Sequence, residues 1–473
     1  MRSGSVLAVA IRHTARGYWL NEAGQVEPRP ALAGDLAADV LVVGGGYTGL
    51  WAAWYAKQLE PQARVVLCEA HIAGEGPSGR NGGFCNALWF GLPAMREHFG
   101  DHSAKQVATA AQEAVDAIGA FCDEEGVDAW FRQAGYMQAS TAPAWDGAWD
   151  ATVDACEALG FADVCRPLSS AQVRERCDSP VFRAGAFYPG AATVQPARLA
   201  RGLRARVLAA GVEVYERTPI SSVRNRDDGL VARAPGSTVR AKAAVMATGG
   251  ALVGLPRLRR RLTLTSSHMV ITEPVPDLLE EIGWTGGECV TDSRAMVHYF
   301  RTTPDGRIAF GWGGGRVVRA DHTTGRAEID PKLITAVERH LTRFFPGLDG
   351  RQIEWAWGGP IDVSPSHLPV VDEIEPGVHC AFGFTGHGVG PSNMVGRSLA
   401  SLALERRDDA ARLGYIAPPA IKVPPEPLRY IGGTIIRNAI LRKEQAFERG
   451  ETPGPVTRLV AGIPERLGIH VGR

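Results

Sequence analysis

The chain contains no run of roughly eighteen apolar residues, so no membrane-spanning helix is expected. Its eight cysteines (68, 85, 122, 156, 165, 177, 289 and 380) form no C-x-x-C pair. Neither a zinc site nor a disulfide framework is indicated, no metal is expected, and the reading is reduced thiols in a cytoplasm. Net charge is also lacking, since 51 Lys and Arg offset 51 Asp and Glu. That removes the electrostatic footprint of a nucleic-acid-binding protein and favours a small, locally recognised substrate. Lysine is scarce, and the one dense basic cluster (Arg257, Arg259, Arg260, Arg261) reads as a solvated face. The 473 residues, 45% of them apolar, suit a globular protein of two or three domains.

The stretch from Ala38 to Ala70, ADVLVVGGGYTGLWAAWYAKQLEPQARVVLCEA, is the most informative. Asp39–Val43 suits a strand buried on both faces, Leu50–Leu59 a helix and Arg64–Cys68 a second strand. Between them Gly44, Gly46 and Gly49 have G-x-G-x-x-G spacing, and Glu69 follows Gly49 by 20 residues. Gly44 permits the tight turn, Gly46 lets a pyrophosphate approach, and Gly49 lets the helix pack on the strand. The helix start offers unpaired N–H groups and its dipole to phosphates, and Glu69 stands where an acid takes ribose hydroxyls. The glycine-dense loop Gly74–Gly83 follows. Its successive N–H groups suit an anion-binding nest with Ser78 and Arg80 as added donors.

Residues 94–130 carry apolar positions at helical spacing, and a second domain is expected to begin there. Pro196 leads a helix over 197–210 that Gly211 closes. Pro219–Arg226, Leu230–Arg233 and Ser237–Lys242 read as an antiparallel meander, and Ala243–Ala247 as a separate buried strand ending at Thr248-Gly249-Gly250. Thr263–Glu273, Ala295–Thr302 and Gly306–Trp312 read as strands, and Asp330–Phe345 as a helix. Trp357–Pro369 reads as an irregular proline-rich loop. Thr385-Gly-His-Gly-Val-Gly390 then opens a helix whose N-terminus can face a polar ring edge or phosphate. Leu428–Phe447 is amphipathic, with packing on the protein preferred over a membrane surface.

Together VVGGGYTGL (42–50), SGRNGG (78–83), ATGG ending at Gly250, WGGPIDVSPSHLP (357–369) and GFTGHGV (383–389) resemble the flavoprotein family of D-amino acid oxidase, sarcosine oxidase and glycine oxidase. The branch most similar is the γ-glutamylputrescine oxidase group of amine oxidases. The resemblance covers about residues 18–410 and implies an α/β fold. A doubly wound FAD-binding domain (38–93, 186–254 and 355–412) would interleave with a mainly antiparallel-sheet substrate domain (94–185 and 255–354). Residues 1–37 are then a leader wrapping the first domain, and 413–473 a helical tail.

The resemblance implies FAD rather than NAD, held by Gly44, Gly46, Tyr47, Thr48 and Gly49, with Glu69 and Ala70 at the adenosine ribose. Ser78, Gly79, Arg80, Asn81, Gly82 and Gly83 would border the phosphates and ring. Val223 would meet adenine, Thr248 and Gly249 the ribityl chain, and Gly386, His387, Gly388 and Val389 the pyrimidine edge. Gly359 stands at the position that matches the flavin-tethering cysteine of the sarcosine oxidase branch, so non-covalent FAD is expected, with Cys85 or His387 as alternative tethers.

The implied reaction moves hydride from the carbon bearing an amine to the flavin, and water hydrolyses the imine. The protein's task is orientation, not strong acid or base chemistry. Side-chain alternation puts Tyr299 and Arg301 on one face of their strand, where Arg301 suits a carboxylate or phosphonate. His268, Tyr299, Arg301 and His387 are the candidate catalytic residues, with a structural ion pair as the alternative for Arg301 and a structural histidine for His268. The expected partners are a small amine or amino acid and either O2 or an electron carrier. A carrier-linked dehydrogenase, an NAD-linked dehydrogenase and a non-catalytic flavin-binding assembly subunit stay open as alternatives.

Overall fold

The computed structural model describes residues 11–226, 229–319 and 323–471, so the apolar patch from Val6 lies almost wholly outside the described residues. Strand Leu36–Val43, helix Tyr47–Leu59 and strand Val65–Cys68 follow one another as expected, and the two strands pair in parallel from Val40↔Val65 to Val43↔Cys68. Val40–Val43 and Val65–Cys68 are buried throughout, because helices or other strands cover both faces of this sheet. Its order is Ser222–Arg226, Gly229–Ala234, Ser237–Met246, Leu36–Val43, Val65–Cys68, Glu213–Tyr215.

Two expected strands are one. Ser237–Met246 runs unbroken, its first half antiparallel to Gly229–Ala234 and its second half parallel to Val378–Cys380. The change of neighbour changes the burial pattern midway, from alternating to continuous, and the sequence reads that change as a boundary.

Helix Leu92–Glu124, broken at Gly100 (φ 75°, ψ 163°), does not leave the nucleotide sheet. Phe121 packs edge-on against Trp51 and Trp54 at centroid distances of 4.9 and 5.5 Å, and Val115 and Ile118 share a core with Val42, Leu50 and Leu399.

The second sheet has the order Arg12–His13, Ile353–Val363, Thr263–Thr272, Ile308–Trp312, His298–Thr302, Cys289–Asp292, Tyr136–Ala139, Gly185–Tyr188, Arg166–Leu168. The supposed loop at Trp357 is therefore a correction. Ile353–Val363 is a long strand paired with Thr263–Thr272, and Pro360 sits opposite Ser266. Arg12–His13 covers only Trp355 and Ala356 on the other side, so Pro360 occupies a free edge where its missing N–H costs no ladder bond. The leader touches both sheets: it supplies that edge strand, sets Trp19 edge-on to Trp357 at 6.1 Å, and bonds the Leu32 N–H to Thr218 Oγ1.

Behind this sheet lies helix Pro331–Phe344, capped by Asp330, whose carboxylate accepts from the Lys332 and Leu333 N–H groups. Val337, Leu341 and Phe344 pack there on Val270, Phe300 and Phe310. The front of the sheet faces the nucleotide domain. Helix Leu428–Glu448 lies across this front side and packs on the protein: Arg429 donates to the Arg259 and Leu262 carbonyls, and Glu444 accepts from the Met296 N–H.

Candidate active site

One cavity of about 1540 Å³ joins the two domains. It starts at Ile220–Arg224 beside Glu69 and passes Gly44, Gly46 and Ser78. Gly386–Val389 and the front of the second sheet complete its lining.

At the fingerprint the glycines are required by backbone proximity. Gly44 has φ +105° and a Cβ there would lie 2.6 Å from the Ala247 carbonyl oxygen; at Gly49 it would lie 1.9 Å from the Gly44 oxygen. Gly49 therefore acts in helix–strand packing and stands behind the cavity wall, as do Gly79, against the Gly74 oxygen, and Gly83, against the Val194 oxygen. The other cofactor candidates line the cavity, including Thr48, Ala70, Gly82, Val223, Thr248 and Gly249. Ser78 Oγ accepts the Tyr47 N–H at 2.8 Å, at the helix start. Glu69 is anchored through both oxygens, accepting from Gly45 N–H at 2.7 Å and His71 N–H at 2.8 Å.

Arg80 differs from its expected part as a phosphate donor. Its guanidinium holds the Ala15 carbonyl at 2.7 Å and Glu328 at 2.9 Å, which braces the wall. Asn81 braces the same turn, donating to the Pro77 and Ser78 carbonyls and accepting from Gly83 N–H.

Two helix N-termini, at Gly46–Tyr47 and Gly388–Val389, open on this cavity. Their donors, the anchored Glu69 and the glycines of the cavity wall fit the length and polarity of FAD.

At the sheet end the candidates separate. Tyr299 and His387 line the cavity; His268 and Arg301 do not. Tyr299 Oη lies 2.8 Å from Ser267 Oγ, and burial pushes its phenol up to about 12. His387 leans its ring on Phe90 at 4.5 Å, and desolvation pushes its imidazole down to about 4. His268 takes the place of the structural histidine that was its alternative. Thr263, Thr265, Ser267 and Met269 face the cavity, so alternation turns His268 to the rear, where neither ring nitrogen has a hydrogen-bond partner among the described residues and burial lowers its pKa to about 4. Arg301 is a correction. It is 2% exposed and donates to the Gly83, Val194 and Thr302 carbonyls under the glycine loop, so it clamps backbone instead of facing a substrate. Cys85, one suggested tether, is fully buried in the core away from the wall.

Three sets of residues escaped the sequence reading. Asp362, within the GGPIDVSP motif, accepts the Gly383 N–H at 2.6 Å while its own carbonyl accepts from Thr385 N–H at 2.9 Å, which fixes the loop before His387. Burial raises its carboxyl to about 6. The hydroxyls of Thr263, Thr265 and Ser267 form the cavity floor, and their spacing of two in a strand was the available signal. Gly433, Ile436, Arg437 and Ile440 form the roof, and no motif marks them.

Residues 39–402, well over half of the chain, match the FAD dependent oxidoreductase family (DAO). The chain is 28% identical over 430 residues to a probable oxidoreductase OrdL of Rhizobium meliloti, covering 87% of this chain and 91% of that one. It is 27% identical over 416 residues to the γ-glutamylputrescine oxidoreductase of Escherichia coli, covering 86% and 92%. Among solved structures it resembles glycine oxidase from Bacillus cereus (TM-score 0.63, 18% identity, 79% of this chain and 97% of that one). It also resembles L-proline dehydrogenase from P. horikoshii (TM-score 0.65, 18% identity, 88% and 100%). The expected fold class stands, and among the described residues no helix is long and apolar enough to cross a membrane. A dinucleotide cradle that opens onto a sheet face, with a match spanning both, makes this chain a member of the FAD dependent oxidoreductase family, an enzyme whose cofactor is FAD.

Proposed function

We propose that the protein carries out oxidative deamination of an amine or amino acid. Hydride leaves the amine-bearing carbon, the nitrogen loses a proton, and water hydrolyses the resulting imine to a carbonyl and free amine. The observation that carries this reading is the single cavity running from the fingerprint to the hydroxyl-bearing sheet face at Ser267 and Tyr299. Non-covalently bound FAD would supply the hydride acceptor, and its reoxidation by O2 would release hydrogen peroxide.

The chain's own groups suit positioning. Tyr299, held protonated with its pKa near 12, and His387, held neutral, are poor acid–base catalysts at neutral pH but good hydrogen-bonding walls. The desolvation that depresses the His387 imidazole acts equally on a substrate ammonium bound beside it, favouring the neutral amine that hydride transfer needs. Asp362 keeps the loop at Gly386–Val389 in place, where the start of the following helix would face the charge that develops on a bound flavin. The names of the relatives include glycine, L-proline and γ-glutamylputrescine, a consistent chemical range. Eight buried, unpaired cysteines suit a reducing cytoplasm.

The test is the visible spectrum of the purified protein, taken anaerobically with a panel of amines and amino acids. Bleaching of the flavin by a panel member is expected, followed by peroxide formation on admitting air. A flavin that dithionite reduces but every amine leaves oxidised would refute the proposal. Bleaching without oxygen consumption would move the second half-reaction to an electron carrier.

A further inference from the structure

The roof of the cavity comes from helix Leu428–Glu448, beyond the residues 39–402 that the family shares. The helix is pinned at both ends and is not a loose flap. Near its start Arg429 pairs with Glu426 and holds the Arg259 and Leu262 carbonyls; near its end Glu448 pairs with Arg294 and Arg343.

Arg437 projects from the middle of this helix into the cavity wall. Most arginines that line the cavity are neutralised by a carboxylate: Arg16 by Glu75, Arg80 by Glu328, Arg224 by Glu375 and Arg294 by Asp292 and Glu448. Arg437 has no such partner among the described residues. Its Nε donates to the Gly315 carbonyl, Nη2 to the Gly314 carbonyl and Nη1 to Asn438 Oδ1 at 2.9 Å. The nearby carboxylate, Asp330, is taken by Arg316 at 2.5 Å. Each terminal nitrogen of Arg437 keeps a further N–H, and those two donors form the edge that a carboxylate accepts in bidentate fashion. Thr263, Thr265, Ser267 and Tyr299 of the sheet line the same cavity with hydroxyls. A guanidinium held by carbonyls alone keeps its full positive charge, and burial lowers its pKa, so an anion brought alongside it is strongly favoured.

We propose that Arg437 anchors a carboxylate of the substrate, which narrows the class to carboxylate-bearing amines and excludes simple amines and diamines; this rests on the amine chemistry above. The carboxylate belongs either to the oxidised amino-acid unit itself or to a distal end of the molecule, and both sources share the same guanidinium contact.

The test uses the FAD-loaded full-length protein. Acetate, glutarate and their carboxamides are titrated anaerobically, and binding is followed by perturbation of the flavin spectrum and by calorimetry, neither of which needs turnover. The acids should bind more tightly than the amides, and Arg437→Met should weaken acid binding roughly tenfold to a hundredfold, with part recovered in Arg437→Lys. Preference for glutarate assigns the distal carboxylate and preference for acetate the adjacent one. Equal affinity for acid and amide, or equal acid affinity in Arg437→Met and the parent, overturns the assignment. Should Arg437→Met lose its flavin, the acid–amide comparison on the parent protein decides alone. Carboxylate binding with no amine able to bleach the flavin would refute the amine chemistry and leave Arg437 in place.

Discussion

The two ends of the cavity are built differently. At the fingerprint end the wall is backbone: Gly44 and Gly46 bring the chain close, and the polar groups are N–H donors at a helix start. At the sheet end the wall is side chain, with Ser267 and Tyr299 as floor and Arg437 as roof, from elements separated by more than a hundred residues of sequence. At Gly44 this wall admits few alternatives, because a Cβ there collides with the Ala247 carbonyl. A side-chain wall can be rewritten one residue at a time. On the proposed function, the first end would keep the cofactor and the second would be where substrate choice is made.

The sharpest way to break this comparison is Gly44→Val. A β-branched residue at φ +105° that also meets the Ala247 oxygen should cost about 3 kcal/mol or more and leave the purified protein without flavin. A yellow, stable Gly44→Val protein would show that the backbone wall tolerates what its geometry forbids.

Arg301 tests the boundary between the ends. Arg301→Met strands the Val194 carbonyl and leaves the Gly83 carbonyl with the Val194 N–H alone, so unfolding free energy should fall by about 1–3 kcal/mol, while KM for any amine that bleaches the flavin stays within about threefold. A large rise in KM with unchanged stability would return Arg301 to the substrate.

The smallest effect at neutral pH belongs to His268. Its folded-state pKa near 4 lies below the ordinary 6.5, so between these values the unfolded chain binds the proton and the folded one does not. Stability is full above pH 6.5 and is lost as pH falls towards 4, by about 3 kcal/mol from this group. His268→Met should match the parent within about 1 kcal/mol near pH 8 and remove that part of the acid loss, as read by denaturant unfolding across pH. An unchanged pH profile in His268→Met would place the acid sensitivity elsewhere, His387 being the next group to examine.

His268 and Arg301 also show where sequence reasoning stops. The strands carrying them were legible, since both runs are rich in β-formers, and alternation correctly separated Tyr299 from His298. Alternation leaves open which face meets the cavity and how far along the strand the cavity extends. His268 fell on the wrong face, and Arg301 on the right face but beneath the glycine loop. The Trp357 motif failed for another reason: glycine and proline weaken local strand propensity, but pairing with Thr263–Thr272 overrides it.

What the sequence alone determined is whatever depends on consecutive residues: the strand, turn, helix and acid of the nucleotide unit, the helix that Gly211 closes, the Asp330-capped helix, and from these motifs the family. Turn chemistry, capping and periodicity act over a few positions and are written there. The tertiary structure decided which side chains share the cavity. Floor, loop and roof come from residues near 267, 387 and 437, and their meeting depends on strand register and on how one helix crosses a sheet, which no local pattern encodes.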